Sequence, residues 1–149
     1  MARSVLVASL LGFSSGACDK GPAAPQPTEA QTNGAPPLAS KPFYRIDAGP
    51  LAPCAVGGTC EATLVLTALA DYRVNAGYPT KFVPDAASEV AIASHAFARE
   101  GEQRGTLTVK FKPKQAGAAK LVGVFKLSVC NEENCEIEAP QITLPVTSS

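Results

Sequence analysis

The chain reads as all-β, an immunoglobulin-like β-sandwich of seven to eight short strands. Three observations carry that reading. Apolar residues alternate with period two in short runs, Gly, Pro and Asp punctuate the runs, and no stretch shows a 3.6-residue period. Strands of this length and spacing suit two packed sheets, with a small closed barrel as the alternative.

The elements follow in order. Residues 43–46 open the set, and residues 62–68 alternate Thr63, Val65 and Thr67 against Leu64 and Leu66. Shorter candidates at 72–75, 81–83 and 90–93 are broken by Gly77, Pro79 and Pro84. Residues 106–112 alternate strictly, with Leu107, Val109 and Phe111 on one face and Thr106, Thr108, Lys110 and Lys112 on the other. Residues 120–129 set Leu121, Phe125, Leu127 and Val129 on one face, and Ile142, Leu144 and Val146 do the same in residues 141–146. Between these last two lies a hairpin whose loop, Asn131-Glu132-Glu133-Asn134, is bracketed by Cys130 and Cys135.

The chain has five cysteines, an odd number. Cys18 stands alone, while Cys54/Cys60 and Cys130/Cys135 are two close pairs. Four cysteines allow three pairings, and proximity favours Cys54–Cys60 and Cys130–Cys135. Opposed strand residues sit about 4.5 to 5.5 Å apart at Cα, which overlaps the disulfide range, so Cys130 and Cys135 can close with little backbone movement. Gly57-Gly58 supplies the turn that brings Cys54 back to Cys60.

The amino-terminal residues fix the compartment in this reading. Arg3 is a short positive region, residues 5–13 (VLVASLLGF) form an apolar run too short to span a bilayer, and Ser14-Ser15-Gly16-Ala17 supplies small residues for cleavage. Residues 1–17 are therefore expected to be a signal peptide. The same small residues directly before Cys18 resemble a relaxed bacterial lipobox, which would make Cys18 the lipidated residue. Secretion as a soluble protein is the alternative. Residues 18–40, rich in Pro, Ala and Gly, are expected to be a disordered tether, and residues 41–149 the folded domain. The expected location is the cell envelope, lipid-anchored and facing the periplasm or exterior.

Composition narrows the function classes. Lys plus Arg equals Asp plus Glu at 13 each, and no basic run occurs, which argues against nucleic acid as a partner. The initiator is the only Met, which excludes a Met-rich soft-metal site. The single histidine, His95, reads as a loop or strand-edge residue. A zinc or copper site from Cys130, Cys135 and His95 would need reduced thiols in an oxidising compartment, so no metal and no cofactor are expected. Asn75 before Ala-Gly-Tyr-Pro marks a turn, and Tyr78 and Phe82 are assigned to core packing ahead of a role shielding the hairpin.

Thiol chemistry is the leading question. A ring this small contributes only about 2 kcal/mol as a staple, and a hairpin already held by its ladder gains less. A bridge across an exposed polar tip is instead open to a partner thiolate. Glu132, Glu133, Glu136 and Glu138 surround it with negative charge, which disfavours a free thiolate unless a docked partner compensates. No CxxC spacing occurs.

Two segments carry a resemblance. Phe125-Lys126-Leu127-Ser128-Val129-Cys130 with Cys135-Glu136-Ile137-Glu138 resembles the end of the amino-terminal periplasmic domain of DsbD-type thiol:disulfide interchange proteins. Asp71-Tyr72-Arg73-Val74-Asn75, followed by Tyr78-Pro79, is similar to an earlier segment of that domain, where His often replaces Arg73. Together the segments span most of residues 43–146, in the same order. The resemblance implies an immunoglobulin-like sandwich whose hairpin cysteines relay electrons to exported thiol or disulfide proteins. It gives Cys135 the mixed disulfide and Cys130 the resolving role, and it implies a thioredoxin-like protein or a membrane electron carrier as partner. Cys54/Cys60 lies outside that pattern and is expected to be a structural disulfide. The competing expectation is a non-enzymatic binding or structural module in which both bridges are inert.

Overall fold

The computed structural model describes residues 35–149; the expected signal peptide, Cys18 and most of the tether lie outside the described residues. Among the described residues ten strands form two antiparallel sheets. The strands are β1 (Ala39–Lys41), β2 (Tyr44–Ala48), β3 (Cys60–Ala68), β4 (Arg73–Val74), β5 (Lys81–Pro84), β6 (Val90–Arg99), β7 (Arg104–Pro113), β8 (Gly117–Cys130), β9 (Cys135–Glu138) and β10 (Gln141–Ser148). The first sheet runs β1-β2-β3-β7-β6. In the second, β8 is central and pairs with β10, β9, β5 and β4. The architecture is an open sandwich and not the closed barrel.

The core lies between the sheets. Leu64, Leu66, Leu107, Val109 and Phe111 come from the first sheet and meet Leu121, Phe125, Leu127, Ile142 and Leu144 from the second, all buried. These are the faces that the alternation selects, since successive strand residues point to opposite sides. Phe97 on β6 reaches Phe125 on β8, ring centroids 6.4 Å apart and edge-on, and so ties an edge strand to the opposite sheet.

More strands appear than the seven to eight expected, for identifiable reasons. Ala39 and Ser40, assigned to the tether, belong to β1, which pairs with β2 through Ala39↔Ile46 and Lys41↔Tyr44. β6 extends from Val90 to Arg99 instead of stopping at Ala93. Its register shifts between Ile92 and Ser94, and this bulge turns both Ile92 and Phe97 toward the core, which an unbroken strand could not do five residues apart.

Two strands share each edge of β8. On one edge β9 and β10 keep a single register, Leu127↔Glu138 and then Val124↔Gln141, across Ala139-Pro140. Pro140 has no N–H to give, and its carbonyl accepts from Phe125 N at 3.0 Å, so the ladder passes through it. On the other edge the register changes between Val74↔Val129 and Lys81↔Lys126, and residues 75–80 leave the ladder as a loop.

Close backbone approach explains one glycine. A Cβ on Gly123, in the middle of β8, would run into the buried ring of Phe82 and lie 2.7 Å from the Val83 carbonyl oxygen. Phe82 is thus a core residue, as assigned.

Candidate functional site

The Cys130–Cys135 disulfide closes the β8–β9 hairpin, with Cα atoms 4.0 Å apart. The tip geometry sets this distance. Asn131 N donates to Asn134 O at 3.0 Å, which makes 131 and 134 a hydrogen-bonded pair and the adjacent cysteines a non-hydrogen-bonded one, where strands approach most closely. The Asn131 side-chain carbonyl also accepts from Glu133 N (3.0 Å) and Asn134 N (2.9 Å), folding the turn on itself. Cys130 is half-buried and Cys135 exposed, so an incoming group meets Cys135 first.

Residues distant in sequence brace the tip. Arg73 lies opposite Cys130 in the ladder, and Asp71 Oδ2 accepts from Asn131 Nδ2 at 3.2 Å. Tyr72 packs against Phe43 with the rings tilted and centroids 5.4 Å apart, and its hydroxyl donates to Asn134 Oδ1 at 3.3 Å. The aromatic ring bonded to the hairpin is therefore Tyr72, while Phe82 lies in the core and Tyr78, assigned to core packing, is half-buried in the 75–80 loop and not part of the core. The 69–72 turn that aims it holds Ala70 at φ 55°, with Gln103 Nε2 donating to the Ala70 carbonyl at 2.9 Å.

Loop 75–80 covers the neighbouring position. Asn75 forms the expected turn, its Oδ1 accepting from Gly77 N at 3.0 Å. It also pairs with Ser128, through Asn75 N to Ser128 O at 3.0 Å and Asn75 Nδ2 to Ser128 Oγ at 3.3 Å. Ser128 points away from the core yet is fully buried, because this loop lies over it, and its hydroxyl is satisfied there.

The surroundings are acidic. Glu132 and Glu133 are exposed at the tip, and Glu138 is engaged by Lys41 Nζ at 2.6 Å. An open polar groove of about 580 Å³ beside the tip is lined by Ala70, Asp71, Arg73, Glu102, Gln103 and Glu132, and Arg73 is bound there to Glu102 at 3.2 Å. The negative field registers on Tyr72, whose phenol is held above its usual range by burial first and then by Glu136, Asp71 and Glu133.

The second bridge sits elsewhere. Cys54 lies beside Ser148 in a parallel bridge and its carbonyl accepts from Ser149 N at 2.9 Å, which attaches it to the end of β10. Cys60 begins β3 in the other sheet, so Cys54–Cys60 clasps the two sheets together. Both cysteines are 8% exposed. The clasp lies at the Gly117 end of β8, roughly 40 Å along that strand from Cys130. His95 is exposed on β6, opposite Val109 in the first sheet, while Cys130 belongs to the second. Among the described residues no group of three or more His, Cys, Asp and Glu is arranged to hold a metal ion.

Two antiparallel five-stranded sheets with this topology define an immunoglobulin-like β-sandwich domain. Among solved structures the chain is similar to the yeast GGA1 GAE domain, at a TM-score of 0.50 and 10% identity over 74% of this chain and 97% of that one. At that identity the likeness is one of fold alone. No family model matches the sequence, and no curated protein matches it.

Proposed function

We propose that this domain exchanges thiols and disulfides with exported partner proteins through Cys130 and Cys135. The observation that carries the proposal is the contrast between the two bridges. Cys54–Cys60 is buried and joins the sheets, whereas Cys130–Cys135 joins strands already paired to each other and leaves Cys135 open to solvent. A buried inter-sheet bridge suits a staple, and an exposed intra-hairpin bridge suits exchange, because a partner sulfur can reach it.

In this reading a partner thiolate attacks Cys135, the more exposed of the two residues, and Cys130 is the leaving and resolving thiol. The assignment agrees with the roles implied by the resemblance to DsbD-type amino-terminal domains, and the sandwich fold is compatible with that resemblance. The acidic tip calls for a partner that brings positive charge. Lipid attachment at Cys18 and an envelope location belong to the same proposal.

The test is electron transfer between the reduced chain and an oxidised thioredoxin-type CxxC protein, stopped with acid and resolved by thiol alkylation. Exchange that is lost with Cys135→Ser and retained with Cys54→Ser plus Cys60→Ser supports the proposal. Failure to exchange with any CxxC protein or small disulfide leaves a non-enzymatic sandwich module.

A further inference from the structure

We infer that the exchange partner docks by adding an extended, cysteine-bearing segment to the free edge of β9, with its cysteine directly across from Cys135. This rests on the exchange reading above and names the surface that serves it.

The argument begins with the ladder. Hydrogen-bonded pairs alternate along β8–β9, and Asn131/Asn134 and Phe125/Pro140 fix the phase. Glu136 and Glu138 therefore spend their backbone groups on β8, while the N–H and C=O of Cys135 and Ile137 point away from it. β9 pairs with β8 alone, so among the described residues that outer edge is unpaired. Cys135 and Ile137 also share one face, two residues apart, and Ile137 is 67% exposed, the most exposed large apolar side chain described. An exposed cysteine, an exposed apolar anchor and unpaired backbone groups thus coincide on two residues.

The chemistry needs the same direction of approach. Cys130 and Cys135 are cross-strand neighbours, so Cys135 lies between Cys130 and the place a third strand would occupy. A residue paired with Cys135 on that strand would have its Cα about 5.5 Å away, inside the range a disulfide bridges. The partner thiolate attacks Cys135 Sγ in line. The new S–S bond forms to Cys135, the Cys130–Cys135 bond breaks, and its electron pair leaves on Cys130, which takes a proton from water. A second partner thiolate then attacks the partner's own sulfur in the mixed disulfide, so the partner dithiol is oxidised and Cys130/Cys135 reduced.

The occupant follows from the surface. It is extended, carries an apolar residue two positions from its cysteine to cover Ile137, and has Lys or Arg to meet Glu132, Glu133 and Glu136.

The experiment uses the full chain with Cys18→Ser and Cys130→Ser, so that Cys135 is its one free thiol, and the peptide Lys-Val-Lys-Cys-Lys-Val-Lys activated as its 2-thiopyridyl disulfide. Thiopyridone release then reports capture by Cys135. N-methylation of the Cys and Val amides, which would face β9, is expected to slow capture at least tenfold, whereas N-methylation of the Lys amides leaves it within twofold. Exchanging Lys for Glu in the peptide and Ile137→Ser in the protein each slow it several-fold. In the mixed disulfide the Cys135 and Ile137 amides gain protection from hydrogen exchange. Equal rates for all peptides and for activated glutathione, with those two amides still unprotected, overturn the docking mode and leave exchange itself intact. No capture of any probe, in a chain whose wild-type tip bridge also resists every thiol, sinks the exchange reading and this inference with it.

Discussion

The Tyr72 hydroxyl donates to Asn134 Oδ1 at 3.3 Å, and so one side of the cysteine hairpin is fastened to a turn more than sixty residues earlier. The bond is exposed, so Tyr72→Phe is expected to cost no more than about 1 kcal/mol in urea unfolding. Its larger effect falls on the tip. Reduction of Cys130–Cys135 by dithiothreitol should quicken in the variant, because a freer tip opens more readily. An unchanged reduction rate would show that the tyrosine does not restrain the bridge.

Tyr72 and Tyr44 both have phenols raised above the usual value of 10, in each case by burial first and then by neighbouring carboxylates, Glu136, Asp71 and Glu133 for Tyr72 and Glu138 for Tyr44. The folded state therefore holds these protons more tightly than the unfolded chain does. Their contribution to stability is complete below pH 10 and is lost as pH rises from there through the folded-state values. Phenolate absorbance should show these two groups ionising late, and Glu136→Gln should bring Tyr72 forward. Stability that rises above pH 10 would contradict the assignment.

Gly123→Ala is expected to destabilise the domain by about 2 to 3 kcal/mol, because the new methyl meets both the Phe82 ring and the Val83 carbonyl. Phe82→Leu in the same chain should return part of that loss, a coupling that a double-mutant cycle measures. Gly105→Ala makes the milder comparison. There the obstacle is the tip of the Phe97 ring, on a half-buried edge residue that can swing aside. Equal costs at the two glycines would refute this account of the packing.

Much of the fold was legible because inward faces leave a period-two trace. Strands β3, β7, β8 and β10 combine alternation with β-branched or leucine-rich inner faces, and each appears where expected. The carboxy-terminal half of β6 was not legible. It belongs to a mostly exposed, alanine-rich edge strand whose bulge breaks the period, so sequence alternation carries no phase there. β1 was hidden by composition, since Ala39-Ser40-Lys41 resembles the tether before it and gains its pairing only from β2. At the candidate site, spacing alone revealed the cysteine hairpin. The braces on it, Asp71 to Asn131, Tyr72 to Asn134 and Asn75 to Ser128, each join segments more than fifty residues apart, and no local pattern encodes such contacts.

The two bridges should separate chemically. Mild reductant followed by alkylation is expected to label Cys130 and Cys135 first and to leave Cys54 and Cys60 paired, because the clasp is buried between the sheets. Loss of the clasp in Cys54→Ser plus Cys60→Ser should cost about 2 kcal/mol by loop entropy, with lost packing added to that. Peptide mapping that finds the clasp opening first would contradict the division of roles.

The most direct measurement is the reduction potential of the hairpin pair, obtained by equilibrating the full chain across glutathione redox buffers and alkylating the free thiols. An exchange role requires Cys130 and Cys135 to titrate together near about −200 mV while Cys54 and Cys60 remain oxidised. A hairpin bridge that stays closed below about −300 mV would contradict the account and return Cys130–Cys135 to the status of a staple.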